Sequence, residues 1–302
     1  MAAQIAGASS DPLNESGAIT TIGGRDGGMA YDFSRSATRA IVAASRLSMD
    51  AAMPRIALYA LFVLAAAATA ASNVADYARE ERWAQEIVPS LVVGDAVYLA
   101  TPTRERVLAV LTMPSGAAVG GVVVVHGLGV HPDWGLIGGL RTGLADAGYV
   151  TLSVQMPVLA ATATREEYVP TLPEAAERID AAVAYLRAKG VRKIAIVSHS
   201  LGASMANALL AQSGAPTIDA WAPIGMAGAF AAAPREPVFD VVAEREIDLV
   251  RTSARARIAT LPRDSCSRQV VIAGADHNFE DRQKELVAAI AVFLGRVFDA
   301  RC

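Results

Sequence analysis

Two residues far apart in the chain are the strongest candidates for chemistry: a serine inside Ser198-His199-Ser200-Leu201-Gly202, and His277. An apolar, strand-like run from Ile194 to Val197 enters the serine string, and an Ala- and Leu-rich helix-like run leaves it. A serine on a tight strand-to-helix turn has its hydroxyl lifted clear of the sheet. Small residues two places before and two after it let strand and helix approach. Ser198 and Gly202 fill those places, although the first is normally glycine, so Ser198 is a departure with a modest steric cost. Backbone strain at such a turn, of order 1–3 kcal/mol, persists only where the surroundings over-determine it. A serine hydroxyl is a weak nucleophile and needs a base beside it. His277 follows the apolar run Val270–Gly274 and precedes the last helix-length segment, so it stands at a strand-to-helix loop. Between them, Pro237 to Asp248 offers the carboxylates Asp240, Glu244, Glu246 and Asp248; Asp240 falls inside a strand-like run and reads as a buried structural acid. The plain alternatives are an ordinary N-cap serine at position 200 and a surface-loop histidine at 277.

The elements that must position these residues follow from hydrophobic patterning. DAVYLAT and RERVLAVLTMP read as a short antiparallel pair from Asp95 onward. GGVVVVHG, YVTLSVQMP, RKIAIVSHS, DAWAPIG, PVFDVVA and RQVVIAG then read as short, nearly continuous apolar strands, as expected where helices cover both faces of a parallel sheet. Helix-length amphipathic segments alternate with them at Asp133–Ala147, Leu172–Lys189, Leu201–Gln212, Leu249–Leu261 and Asp281–Phe298. The second starts with a capping-box pattern, Thr171-Leu172-Pro173-Glu174, and stops at Gly190. Asp133 reads as the N-cap of the first, with Trp134 either packing or bordering a pocket. The alternation predicts an α/β fold with a doubly wound, mostly parallel sheet, in which ligands bind beyond the carboxyl ends of the strands. The stretches Met156–Pro170 and Gly225–Pro237 are too short for a separate lid domain.

A second motif, Val122-Val123-Val124-Val125-His126-Gly127-Leu128-Gly129, runs a buried strand into an H-G-x-G turn. Here the sequence resembles the α/β-hydrolase superfamily. That resemblance implies an oxyanion hole formed by the backbone N–H groups of Leu128 and Leu201, each worth on the order of 3 kcal/mol to a transition state. It also implies the chain order nucleophile, acid, base, with Ser200 as nucleophile and His277 as base. Laying the superfamily's G-x-x-D pattern on Ala243-Glu244-Arg245-Glu246 makes Glu246 the acid, with Asp248 the second choice. His126 reads as structural. Segments Trp83–Leu99, Gly127–Trp134 and Ser153–Leu159 further resemble a bacterial family of α/β-hydrolase-like proteins without an assigned function. The activity expected is a serine hydrolase acting on a small or medium carboxylic ester, with Trp134, Met156, Met226 and Phe279 as apolar walls of the substrate pocket. The rival expectations are a catalytically inactive binding or envelope protein of the same fold, and an acyltransferase or amidase on the same scaffold.

The 302 residues are 53% hydrophobic and 19% charged, with a formal net charge of -3. That balance supports one large core and gives no basic field to gather nucleic acid, so a small-molecule partner is expected and a nucleic-acid partner is not. The two cysteines, Cys266 and Cys302, lack metal-site spacing, and no metal or other cofactor is expected. Residues 1–52 are Gly-, Ser- and Ala-rich and are expected to have no fold, or to precede a true start at Met49 or Met53. Residues 53–70, with Arg55 before an apolar run that ends Ala68-Thr69-Ala70, read as a secretory signal. An uncleaved anchor is the alternative, although the run is short of the ~20 residues of a usual span. Residues 71–302 would then be exported, periplasmic or secreted, or anchored at the inner membrane, which would be touched only through this segment. Oxidising surroundings would let Cys266, before the last strand, pair with Cys302, after the last helix, closing a loop worth roughly 3–4 kcal/mol.

Overall fold

The computed structural model describes residues 75–302; the start, disorder and signal-segment expectations for residues 1–70 lie outside them. Eight strands form one sheet: β1 (Asp95–Leu99), β2 (Val107–Thr112), β3 (Gly120–Val125), β4 (Tyr149–Val154), β5 (Ile194–His199), β6 (Ala220–Ile224), β7 (Phe239–Arg245) and β8 (Arg268–Asp276). Their spatial order is β1-β2-β4-β3-β5-β6-β7-β8. β2 runs antiparallel to both neighbours, and every pair from β4 to β8 is parallel. All eight strand-like runs of the sequence are strands.

The helices are α1 (Tyr77–Ile87), α2 (Gly135–Asp146), α3 (Leu172–Ala188), α4 (Leu201–Leu210), α5 (Asp248–Arg257) and α6 (Gln283–Phe298). Side-chain alternation along the central strands divides the core into two layers. Val123, Val125 and Ile196 pack with Ile179, Leu186 and Met205 of α3 and α4. Val122, Val124 and Val197 pack with Leu136, Leu140, Ile290 and Phe293 of α2 and α6 on the opposite face. All four valines of β3 are fully buried, which stabilises the centre of the sheet by about 1.5–3 kcal/mol each.

Helix α1 is not foreshadowed by apolar periodicity, because YAREERWAQEI is dense in charge. Asp76 caps it by accepting the Arg79 N–H at 2.9 Å. Its buried Glu80 takes two hydrogen bonds from the fully buried Arg178 of α3, at 3.0 and 3.2 Å, and one from the Val158 N–H at 3.2 Å. A long-range ion pair, together with the buried Ala84 and Ile87, ties this helix to the body.

Two capping expectations are corrected. Thr171 and Glu174 form no capping box: residues 166–171 are already a 3-10 helix, Thr171 is in the helical region, and its hydroxyl donates back to the Tyr168 carbonyl at 2.8 Å. Glu174 turns instead to Arg178. Trp134, not Asp133, is the N-cap of α2, and the Asp133 carboxylate pairs with the nearly buried Arg141, whose charge otherwise has only the Val93 carbonyl and the Thr112 hydroxyl.

Cys266 and Cys302 are joined by a disulfide that ties the bend two residues before β8 to the segment beyond α6. Among the described residues, no helix is long and apolar enough to cross a membrane.

Candidate active site

Ser200 sits between β5 and α4 at φ 54° and ψ −120°, a region that non-glycine residues rarely occupy. Two contacts hold it there. Its N–H donates to the Ile224 carbonyl of β6 at 2.8 Å, and α4 presses on the turn after β3. A Cβ at Gly202 would lie 2.2 Å from the His126 carbonyl oxygen, so only glycine lets the helix come this close. The departure at Ser198 also has a physical reason. Its buried hydroxyl accepts the indole N–H of Trp221 at 2.9 Å, satisfying a donor that the core would otherwise strand.

His277 begins the loop after β8, and its Nε2 lies 2.9 Å from Ser200 Oγ. Its Nδ1 hydrogen-bonds the Glu246 carboxylate, which also accepts the Ile247 N–H at 2.9 Å and is completely buried. With Nδ1 donating to a carboxylate, the hydrogen-bond pattern assigns the tautomer in which Nε2 is free to accept the serine proton. A register shift between Ala243 and Arg245 in the β7–β8 pairing sets Arg245 opposite Asp276, which brings Glu246 alongside His277. Gly225, at φ +58°, closes the third side: a Cβ there would stand 3.0 Å from the imidazole Cε1. Asp248, the second-choice acid, points away at 88% exposure and pairs with Arg251.

The other histidines are distinct in kind. His126 is fully buried, its Nε2 accepts the Met156 N–H at 2.8 Å, and burial pulls its pKa down to about 3. His199 donates from Nε2 to the His277 carbonyl at 2.8 Å; burial first, then the neighbouring His277, lowers its pKa to about 4. Both are neutral supports at neutral pH.

A cavity of about 280 Å³ opens over Ser200 and His277, with Leu128, Val130, Trp134 and Ile247 as its apolar lining. The Gly127–Leu128 turn lies against the serine turn: a Cβ at Gly127 would be 3.1 Å from Ser200 Cβ. Among the described residues, neither the Leu128 N–H nor the Leu201 N–H has a hydrogen-bond partner in the protein. Three expected wall residues are not walls. Met156 and Met226 are fully buried in the core layer of α3 and α4, and Phe279 in that of α2 and α6. Apolar side chains just past a strand end fold inward wherever a core layer is there to receive them, since that removes more surface from water. Sequence reasoning missed Arg165, whose side chain reaches the cavity from the loop after β4. Larger clefts of about 570 and 660 Å³ lie at the amino ends of β3 and β5 and along β8, and neither contains a nucleophile next to a base. No set of three or more His, Cys, Asp or Glu among the described residues is placed to hold a metal ion.

Solved structures resemble the chain over about two thirds of its length. Dienelactone hydrolase from Anabaena variabilis is 19% identical with a TM-score of 0.54, covering 67% of this chain and 97% of its own. Est1E from Butyrivibrio proteoclasticus is 17% identical, TM-score 0.53, covering 68% and 99%. A serine hydrolase without lid from Xanthomonas campestris is 13% identical, TM-score 0.52, covering 68% and 95%. The chain has the α/β-hydrolase fold. Residues 54–176 also match a family described as protein of unknown function (DUF3530). That match ends before the serine turn. Comparison with curated proteins gives no match. Among the described residues, no separate lid domain covers this site: Gly225–Pro237 is a short connection between β6 and β7.

Proposed function

We propose that this protein is a serine hydrolase that cleaves a small or medium carboxylic ester through an acyl-enzyme. The observation that carries this reading is the hydrogen-bonded line from Ser200 Oγ through His277 to the buried Glu246, built on three separate strand ends. In the first step Ser200 Oγ bonds to the ester carbonyl carbon while its proton passes to His277 Nε2. The carbonyl oxygen becomes an oxyanion facing the unpartnered N–H groups of Leu128 and Leu201. Collapse of that intermediate breaks the carbon–oxygen bond, and the departing alcohol takes the proton back from Nε2. Water then gives a proton to the same nitrogen, attacks the acyl carbon and releases the acid, returning the proton to Ser200. Glu246 holds the ring in the productive tautomer and stabilises the imidazolium while it exists. The cavity, at about 280 Å³, is at the small end for ligand sites and suits a compact substrate.

A fluorophosphonate probe tests the reading. Wild type should be labelled and Ser200→Ala should not; an unlabelled wild type would favour a non-catalytic protein of the same fold. The same reading includes export of the folded domain, which the Cys266–Cys302 bond supports because a reducing cytosol would keep both thiols free. Alkylation of the protein taken from its own cells without reductant should find both cysteines blocked, and two free thiols would contradict export.

A further inference from the structure

We propose that Arg165 selects for an ester whose acyl part carries a second, ionised carboxylate: a half-ester of a short dicarboxylic acid. The inference deepens the serine-hydrolase reading and rests on it. Arg165 lines the same cavity as Ser200 and His277, and it is the lone cation among the lining residues. Its guanidinium is half-buried, and burial lowers its pKa, the mark of a charge held partly out of water. The charge of neighbouring Glu166 offsets that lowering only in part. The hydrogen bond that Arg165 makes is to a neutral hydroxyl, Nη2 to Ser204 Oγ at 2.5 Å. Among the described residues no carboxylate forms an ion pair with it. Glu166 beside it is exposed, and Glu167 is engaged with the Thr164 N–H at 2.7 Å.

Four other arginines of the fold already have partners. Arg178 has Glu80 and Glu174, Arg141 has Asp133, Arg257 has Asp240, and Arg79 is hydrogen-bonded to the Leu159 carbonyl at 2.6 Å. Arg165 keeps donors for a visitor. A guanidinium offers five N–H groups in a planar fork that matches a carboxylate, and a single bond to Ser204 leaves most of that fork free. Ser204 lies one turn beyond Ser200 on α4, so this bond fixes the guanidinium over the turn that carries the nucleophile. Leu128, Val130, Trp134 and Ile247 make part of the lining apolar, so a short methylene chain joining the reacting carbonyl to the distal carboxylate fits the same space.

Two esters of equal chain length test this, monomethyl adipate and methyl hexanoate, with acid release followed for each. The wild type is expected to show the higher kcat/KM for monomethyl adipate. In Arg165→Gln the adipate-to-hexanoate ratio should fall about 10- to 100-fold, the size of a hydrogen bond to a charged group, and Arg165→Lys should recover part of it. Ser204→Ala, which releases the guanidinium but keeps its charge, should lower the ratio by less than Arg165→Gln does. Fluorophosphonate labelling of each variant shows that the serine site is intact. A labelled wild type without preference for the anion, an unchanged ratio in Arg165→Gln, or a Ser204→Ala that loses the preference equally would overturn the proposal and leave the hydrolase reading standing. An unlabelled wild type would overturn both.

Discussion

Glu246→Gln is the substitution that asks most of the proposed mechanism. The Glu246 side chain is fully buried; one oxygen binds His277 Nδ1 and the Ile247 N–H, while the other has no partner among the described residues and faces Gly225. A glutamine there has two orientations. With its carbonyl toward His277 the tautomer survives, but the amide NH2 is buried unsatisfied at about 1–3 kcal/mol, and the imidazolium loses its counter-charge. With its NH2 toward His277, Nδ1 must accept, Nε2 carries the proton, and Ser200 has no base. Either way kcat should fall about 10³- to 10⁴-fold, or about 4 to 5.5 kcal/mol of barrier. Asp248→Asn, at an 88% exposed position paired with Arg251, should stay within about twofold. Initial rates on p-nitrophenyl butyrate measure both, and a thermal melt shows that Glu246→Gln is folded. A folded Glu246→Gln within tenfold of wild type, or an Asp248→Asn that loses a hundredfold, would refute the assignment of the acid.

Two further outcomes concern stability. Cys302→Ser opens a loop whose ends are 36 residues apart, and urea unfolding should show a loss of about 4 kcal/mol relative to the oxidised wild type; a loss under about 1 kcal/mol would show that the bond constrains little. The second is acid sensitivity. His126 and His199 titrate at about 3 and about 4 in the fold against 6.5 when free, so the unfolded chain binds protons that the folded chain excludes. Their contribution is whole above pH 6.5 and is lost as the pH falls toward the folded values, about 2 kcal/mol for each at pH 5. Urea midpoints at pH 7 and pH 5 should show the fall, and His126→Asn should reduce it by its share. Comparing the two proteins cancels the other titrating groups, and an unchanged pH dependence in the variant would contradict this account.

How legible the molecule was depended on whether a residue's place is set locally or at a distance. The strands could be read because runs such as Val122–Val125 and Ile194–Val197 are buried on both faces, which leaves a continuous apolar signature. Ser200 could be read because the elbow needs its small neighbours within two residues on either side. Helix α1 could not, since its anchor is Glu80 meeting Arg178 nearly a hundred residues later. The capping box at Thr171 failed because a 3-10 turn before it changed that residue's backbone. Met156, Met226 and Phe279 share the loops of the site, yet whether such a side chain faces the cavity or the core depends on the backbone bend after the strand, and pattern carries no record of that. Arg165 lies in a polar loop, TATREEYVP, where nothing separates a cavity-facing arginine from a solvated one.

The site is a property of four neighbouring strands. Ser200 follows β5, Gly225 follows β6, Glu246 follows β7 and His277 follows β8, so adjacent strand ends deliver the proposed nucleophile, a spacer, the proposed acid and the proposed base to one edge. Their relative heights must then be fixed, and the buried pair of Arg257 with Asp240 does this for the middle of the row. Arg257 takes Asp240 through Nε and Nη2 at 3.0 Å each, and its Nη1 donates to the Met226 and Gly228 carbonyls at 2.8 and 2.7 Å, just past Gly225. An apolar pair of equal volume could match the stability of such an ion pair. It could not supply N–H donors to two loop carbonyls, and those bonds hold Gly225 against the imidazole. A charge is therefore kept in the core at this point because α5 has to hold the loop after β6 at the height where His277 and Glu246 meet.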